Sequence, residues 1–272
     1  MVIIFFFDFA MLSVVIITKN EEANIARCLT SVRWADEVIV LDSGSTDNTI
    51  AIAQGFTEHV YINKDWQGYG VQKQRALELA KGDWVLNLDA DESVNSELRE
   101  AIQNVMEEEE ADGYRIPIRM NFYGQLLRYS SSPKRHVRLF KRENARYSND
   151  IVHEKIVLRP NSVIKKLTTP IVHNSFQDIS HALAKINRYS SYSAKIRLQK
   201  SRPPSFFSVM FSTSWMFFRC FYLQLGFMDG KAGFLLAVMN AQGTFYRGIK
   251  QIYPDKQLKK IPNPLITKDG DQ

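Results

Sequence analysis

Cysteine is scarce in this chain: Cys28 and Cys220 each lie in an apolar stretch, with no Cys or His neighbour at metal-ligand spacing. This excludes a disulfide framework, offers no zinc site and fits a reducing compartment. Long unbroken apolar runs are also missing. Residues 1–9 are apolar apart from Asp8, but they are too short to span a bilayer. They also lack the basic flank and small-residue cleavage site of a signal peptide. Because Met11 directly precedes the first convincing strand, residues 1–10 are expected to be an upstream extension of the reading frame, with an edge strand as the alternative. No internal repeat occurs.

What is present is an ordinary globular composition, 45% hydrophobic over 272 residues, enough for one catalytic domain and a smaller appendage. Charge is distributed unevenly. Residues 1–112 hold 8 basic and 21 acidic side chains, net −13; residues 113–203 hold 19 and 4, net +15; the remainder holds 8 and 4, net +4. The middle piece should favour anionic partners.

Up to about residue 106, β-branched runs alternate with helical patterns. Strands are expected at Leu12 to Thr18, Glu37 to Leu41, His59 to Asn63 and Trp84 to Leu88. Helices are expected at Glu22 to Val32, Thr49 to Gln54, Tyr69 to Ala80 and Ser96 to Met106. That rhythm predicts a mostly parallel sheet flanked by helices. Further strands follow at Tyr114 to Phe122, Val137 to Phe140 and Ile151 to Leu158, then a helix from Ile179 to Gln199, broken by Pro203-Pro204 before an aromatic-rich tail.

In open parallel sheets, ligands bind beyond the carboxyl ends of the strands. Three of those ends are polar: Thr18-Lys19-Asn20-Glu21, Asp42-Ser43-Gly44-Ser45-Thr46-Asp47 and Asp89-Ala90-Asp91-Glu92. Gly44 permits a tight turn and Asp47 can cap the next helix, which would leave Asp42 free for a ribose or a base. Two carboxylates ending a buried strand need a cation to offset their repulsion. A hard divalent ion, completing its shell with phosphate oxygens and water, suits Asp89 and Asp91. Lys73 or Arg75, on the third helix, could pair with a diphosphate.

These segments, with the run Ala80 to Asp91, resemble the family 2 inverting glycosyltransferases over about residues 11–160. The resemblance implies a GT-A (Rossmann-like) fold with a C-terminal helical appendage. It implies a nucleotide-diphosphate sugar held by Thr18, Asn20, Glu21, Asp42, Ser43, Gly44, Lys73 and Asp89. It further implies Mg2+ or Mn2+ at Asp89 and Asp91, and a later carboxylate as general base. The acidic pair that marks this base in many members is absent, so Glu154, after His153, is the candidate, with Asp150 behind it. The tail and Ile151-Val152-His153-Glu154 are similar to bacterial enzymes that add glucose to the heptose of the lipopolysaccharide inner core, which implies UDP-glucose as donor and a cytoplasmic enzyme at the inner membrane face. Gln199-Lys200-Ser201-Arg202 is similar to the acceptor motif of processive synthases, but Pro203 stands where that motif has Trp, implying a single sugar addition.

The expected organisation is a catalytic domain over 11–178 (donor half 11–112, acceptor half 113–178), a helical, membrane-associated module over 179–253 and a flexible tail over 254–272. An anionic saccharide or glycolipid acceptor would meet the arginines from Arg135 to Arg146. The tail has too much aromatic surface for a small appendage to bury and too many polar residues to span, so peripheral contact is expected. His136, His153 and His173 are read as structural or supporting. A nucleotidyltransferase is the alternative enzyme class, but no glycine-rich loop follows the first strand; transfer to another lipid-linked or surface-polysaccharide acceptor is a second alternative. Nucleic-acid binding through Lys134, Arg135, Arg138, Lys141, Arg142 and Arg146, interleaved with Phe140 and Tyr147, is opposed by the acidic N-terminal cleft.

Overall fold

The computed structural model describes residues 10–108, 110–130, 134–148, 155–174, 178–200 and 202–254. They form two compact units: residues up to 118 with 134–173, and residues 119–133 with those from 174 onward. The chain thus divides differently from the linear expectation, because 119–133 groups with the C-terminal helices.

In the first unit, β1 (Leu12–Thr18), β2 (Glu37–Asp42), β3 (Val60–Ile62) and β4 (Trp84–Asp89) run parallel in the order β3-β2-β1-β4. All seven residues of β1 are buried, as a strand covered on both faces requires. Its alternation splits the core. Val14 and Ile16 pack with Leu86, Leu88, Ile25 and Leu29 on one face, and Val15 and Ile17 with Val85, Ala76, Leu77 and Phe140 on the other. The crossovers carry α1 (Ile25–Ser31), α2 (Thr49–Gln54) and α3 (Tyr69–Leu79), and α4 (Ser96–Glu108) follows the sheet's fourth strand.

The sheet then becomes mixed. β8 (Lys134–Lys141) pairs antiparallel with β4, and β6 (Gly113–Phe122) antiparallel with β8. Two short strands that the sequence did not announce, β5 (Glu92–Ser93) and β12 (Ile171–His173), pair antiparallel with each other. Strands of two or three residues carry no readable alternation. Smaller strands are β7 (Gln125–Leu126), β9 (Arg146–Tyr147), β10 (Ile156–Val157) and β11 (Ile164–Lys166). Of the strand expected at 151–158, Ile156–Val157 is seen, and 151–154 lie outside the described residues. At the amino end of β4, Gly82 has no room for a side chain: an added Cβ would stand 2.7 Å from both Met11 O and Ser13 N.

The second unit holds α5 (Ile179–Lys200), α6 (Phe206–Phe218) and α7 (Gly230–Ile252). Its core joins Phe122 and Leu127 to Ala182, Ala232, Leu236 and Met239. Asp229, just before α7, is buried and clasps the segment after β7: its carboxylate accepts from the backbone N–H groups of Arg128, Tyr129 and Ser130 and from Ser130 Oγ, at 2.7–3.0 Å. The aromatic run after Pro204 is broken by a π-helical turn, Arg219–Leu223, and a 3-10 turn, Gly226–Asp229. Among the described residues, no helix is long and apolar enough to cross a membrane.

Candidate active site

Strand register brings the three polar ends together. Thr18 pairs with Asp42, and Ile17 with Asp89, so the segments after β1, β2 and β4 open on one edge of the sheet. The first two are stapled. Asn20, at φ 55°, donates its backbone N–H to Ser45 Oγ at 2.8 Å, and its Oδ1 accepts from Thr46 N at 2.8 Å. Glu21 N donates to Thr49 Oγ1 at 2.8 Å. Asn48, not Asp47, occupies the cap position of α2, but Asp47 Oδ1 accepts from Thr49 N at 3.0 Å.

Asp42 does not stand free. It is buried, its Oδ1 accepts from Gly44 N and Ser45 N at 2.7 Å each, and its Oδ2 accepts from Ser45 Oγ. The carboxylate therefore shapes its own turn, in which Gly44 takes φ 92°, a conformation that suits glycine. Ser43 is buried beside it, and its Oγ accepts from Gln72 Nε2 at 3.2 Å, tying α3 to the tip of β2. Thr18 Oγ1, at the tip of β1, is buried with no hydrogen-bond partner among the described residues.

Asp89 sits in a lattice of charge. Its Oδ1 lies 3.2 Å from Lys73 Nζ and its Oδ2 3.0 Å from Arg138, whose guanidinium also reaches Glu92 at 2.9 Å and Asn87 Oδ1 at 2.9 Å. Lys73, Arg138 and Glu92 are all buried, whereas the Asp89 side chain remains 38% exposed. Burial works to raise the Asp89 carboxyl, but the Arg138 and Lys73 cations outweigh it and hold the group far below the usual carboxylate range. Glu92 goes the other way: burial pushes it up and the Asp89 charge adds to this, against Arg138. One guanidinium shared by two carboxylates cannot fully offset both.

Asp91 is the remaining carboxylate. Its Oδ2 lies 3.0 Å from His173 Nε2. Burial lowers the His173 pKa, but the hydrogen bond to Asp91 and the surrounding negative charge raise it overall. Among the described residues, no three Asp, Glu, His or Cys side chains gather as a metal-holding set. A divalent ion beside a diphosphate needs only one or two protein ligands: the Asp91 carboxylate suits Mg2+ or Mn2+, and a deprotonated His173 imidazole would join it for Mn2+ but not for the harder Mg2+. Asp89 has each oxygen matched to a cation while its side chain stays partly exposed.

Lys73 is thus at the site, while Arg75 turns away to Asp65 at 2.9 Å. Two of the arginines between Arg135 and Arg146 have partners in the first unit. Arg138 is buried at Asp89, and Arg142 Nε donates to Gly82 O at 2.8 Å, at the opposite end of β4. Glu154, His153 and Asp150 lie outside the described residues. Sequence reasoning missed Arg138 and His173 as site residues; only strand pairing, through β8 and β12, brings them there.

Residues 13–160 match the model of Glycosyl transferase family 2. The chain is 32% identical to the lipopolysaccharide core biosynthesis glycosyltransferase LpsC of Rhizobium meliloti, over 93% of this chain and 95% of that one. It is 33% identical to an uncharacterized glycosyltransferase of Rickettsia bellii, over 87% and 84%. Among solved structures, S. aureus TarS 1-349 superposes with a TM-score of 0.47 at 17% identity, covering 92% of this chain and 82% of that one. The match over more than half of the chain and the full-length likeness to LpsC establish that this protein is a family 2 glycosyltransferase.

Proposed function

We propose that the protein moves one sugar from a nucleotide-diphosphate donor, UDP-glucose, to a hydroxyl of an anionic saccharide or glycolipid acceptor in lipopolysaccharide core synthesis, with inversion. The reading rests on the meeting of Thr18, Lys73, Asp89 and Asp91 at one carboxyl edge of a parallel sheet. The 32% identity to a lipopolysaccharide core glycosyltransferase supports the acceptor class.

The turn shaped by Asp42, Ser43 and Gly44, with Thr18, Asn20 and Glu21 beside it, receives the nucleoside. Lys73 is the cation nearest the diphosphate, held ready by Asp89. Asp91 would hold Mg2+ or Mn2+, joined by His173 for Mn2+, and the ion would supply positive charge for the departing diphosphate. Glu154 takes the proton of the acceptor hydroxyl, whose oxygen attacks the anomeric carbon from the face opposite the diphosphate. The protein works in the cytoplasm, peripherally at the inner face of the cytoplasmic membrane, and no nucleic acid is involved.

The test is incubation of purified protein with UDP- and GDP-sugars, with and without Mn2+, and with a deacylated lipopolysaccharide core as acceptor. Metal-stimulated, acceptor-dependent release of UDP from UDP-glucose is expected. Full activity after EDTA treatment would overturn the metal assignment, and turnover only with other nucleotide sugars would overturn the donor.

A further inference from the structure

The helix α6 carries no charged residue and sets apolar side chains all round between four hydroxyl residues, close to the character of a helix that lies buried. Yet Val209 alone of its residues is buried, set so close to α7 that a Cβ on Gly248 would fall 2.6 Å from Val209 Cγ2. Phe207, Phe211, Trp215 and Phe218, at helical spacing, form a stripe that Tyr222 continues, with Phe207 83% and Phe211 73% exposed. So much uncovered aromatic surface on one element marks a contact face.

We propose that α6 and the turn after it dock this unit on an anionic lipid surface, the helix entering the outer part of the monolayer. Its 13 residues extend about 20 Å, too short for an apolar layer of about 30 Å. Two of its four hydroxyls tolerate a dry setting, since Ser212 Oγ donates to Ser208 O at 2.7 Å and Thr213 Oγ1 to Val209 O at 2.8 Å. Arg202 and Arg219 flank the helix where phosphate groups would meet them. A cleft of about 400 Å3 between α6 and α7, lined by Phe217, Val238, Ala241 and Phe245 among others, offers room for part of an acyl chain.

Charge selects lipid over a second copy. Residues 179–254 contain ten Lys or Arg and one acidic residue, Asp229, which is buried and engaged with backbone N–H groups. A symmetric dimer through this face would bring two such cationic segments together, whereas anionic headgroups neutralise them. The docking deepens the membrane location in the proposed function, and its test reads vesicle binding without sugar transfer, so each fails separately.

Full-length protein is sedimented at low salt with vesicles of phosphatidylcholine containing phosphatidylglycerol, and with phosphatidylcholine alone. The expected result is pelleting with the anionic vesicles, together with quenching of Trp215 by brominated acyl chains, isolated by comparison with Trp215→Phe. A Phe207→Glu/Phe211→Glu variant should bind roughly tenfold or more weakly with an unchanged unfolding midpoint, since both positions are exposed. Protein that stays in the supernatant, an absence of quenching, or undiminished binding by the variant would each overturn the proposal. So would light scattering that shows a wild-type dimer split by the same two changes.

Discussion

His173 Nε2 stands 3.0 Å from Asp91 Oδ2 because β12 pairs antiparallel with β5, directly after the Asp91 turn. The pairing sets a nitrogen and a carboxylate, from distant parts of the chain, on one side of the strand ends. On the proposed function they form the ion site. Asp91→Asn and His173→Ala are each expected to weaken Mn2+ binding about 10- to 100-fold while leaving the fold intact, as read by electron paramagnetic resonance titration of free Mn2+. Unchanged Mn2+ affinity in both variants would assign the pair to structure.

Arg138 is the hinge of the charge lattice. Arg138→Met would leave Glu92 buried without its cation, and removing one partner of a buried pair costs about 3–5 kcal/mol. Urea denaturation should show a lower midpoint for this variant. Adding Glu92→Gln should recover part of the loss, because the stranded charge is then gone.

Glu154 is proposed as the base. Glu154→Gln should keep donor affinity, measured by calorimetry with UDP, while slowing transfer roughly 10²- to 10⁴-fold. A full rate in this variant would move the assignment to Asp150.

Asp229 supplies the pH dependence of the helical unit. Burial raises its carboxyl, but the hydrogen bonds from Ser130 and the backbone of 128–130 outweigh it, so its folded pKa lies below the ordinary value. A depressed carboxylate stabilises fully above the unfolded pKa of about 3.9 and loses that contribution as pH falls through the lower folded value. Thermal unfolding of wild type and Asp229→Asn should therefore differ most above about pH 5 and converge in acid.

The local signals were sufficient for the longer elements of residues 11–112. β-branched runs and helical periods marked β1, β2 and β4 to within a residue or two, and the rule that ligands gather at the carboxyl ends singled out Thr18, Asp42, Asp89 and Asp91 without any knowledge of contacts. The division of labour between the aspartates was not legible there. Asp42 and Asp89 are both carboxylates at strand tips, yet one is consumed by its own turn and the other by Lys73 and Arg138. That outcome depends on how near the partners come.

Long-range register decided the rest. Arg138 reaches Asp89 because β8 runs antiparallel to β4, with Lys141 opposite Trp84 and Leu139 opposite Leu86, so that a cation from a strongly basic segment arrives at the acidic edge. β5 and β12 are too short to show a period of two, and their pairing is specified by the surrounding sheet rather than by their own residues. The sequence by itself determined the parallel core, its polar edge and the aromatic tail, since burial on two faces and helical spacing are written in residue type. Which carboxylates stay paired, which histidine joins Asp91 and which side of α6 stays uncovered were decided only by tertiary structure, because ion pairing and exposure are properties of distance.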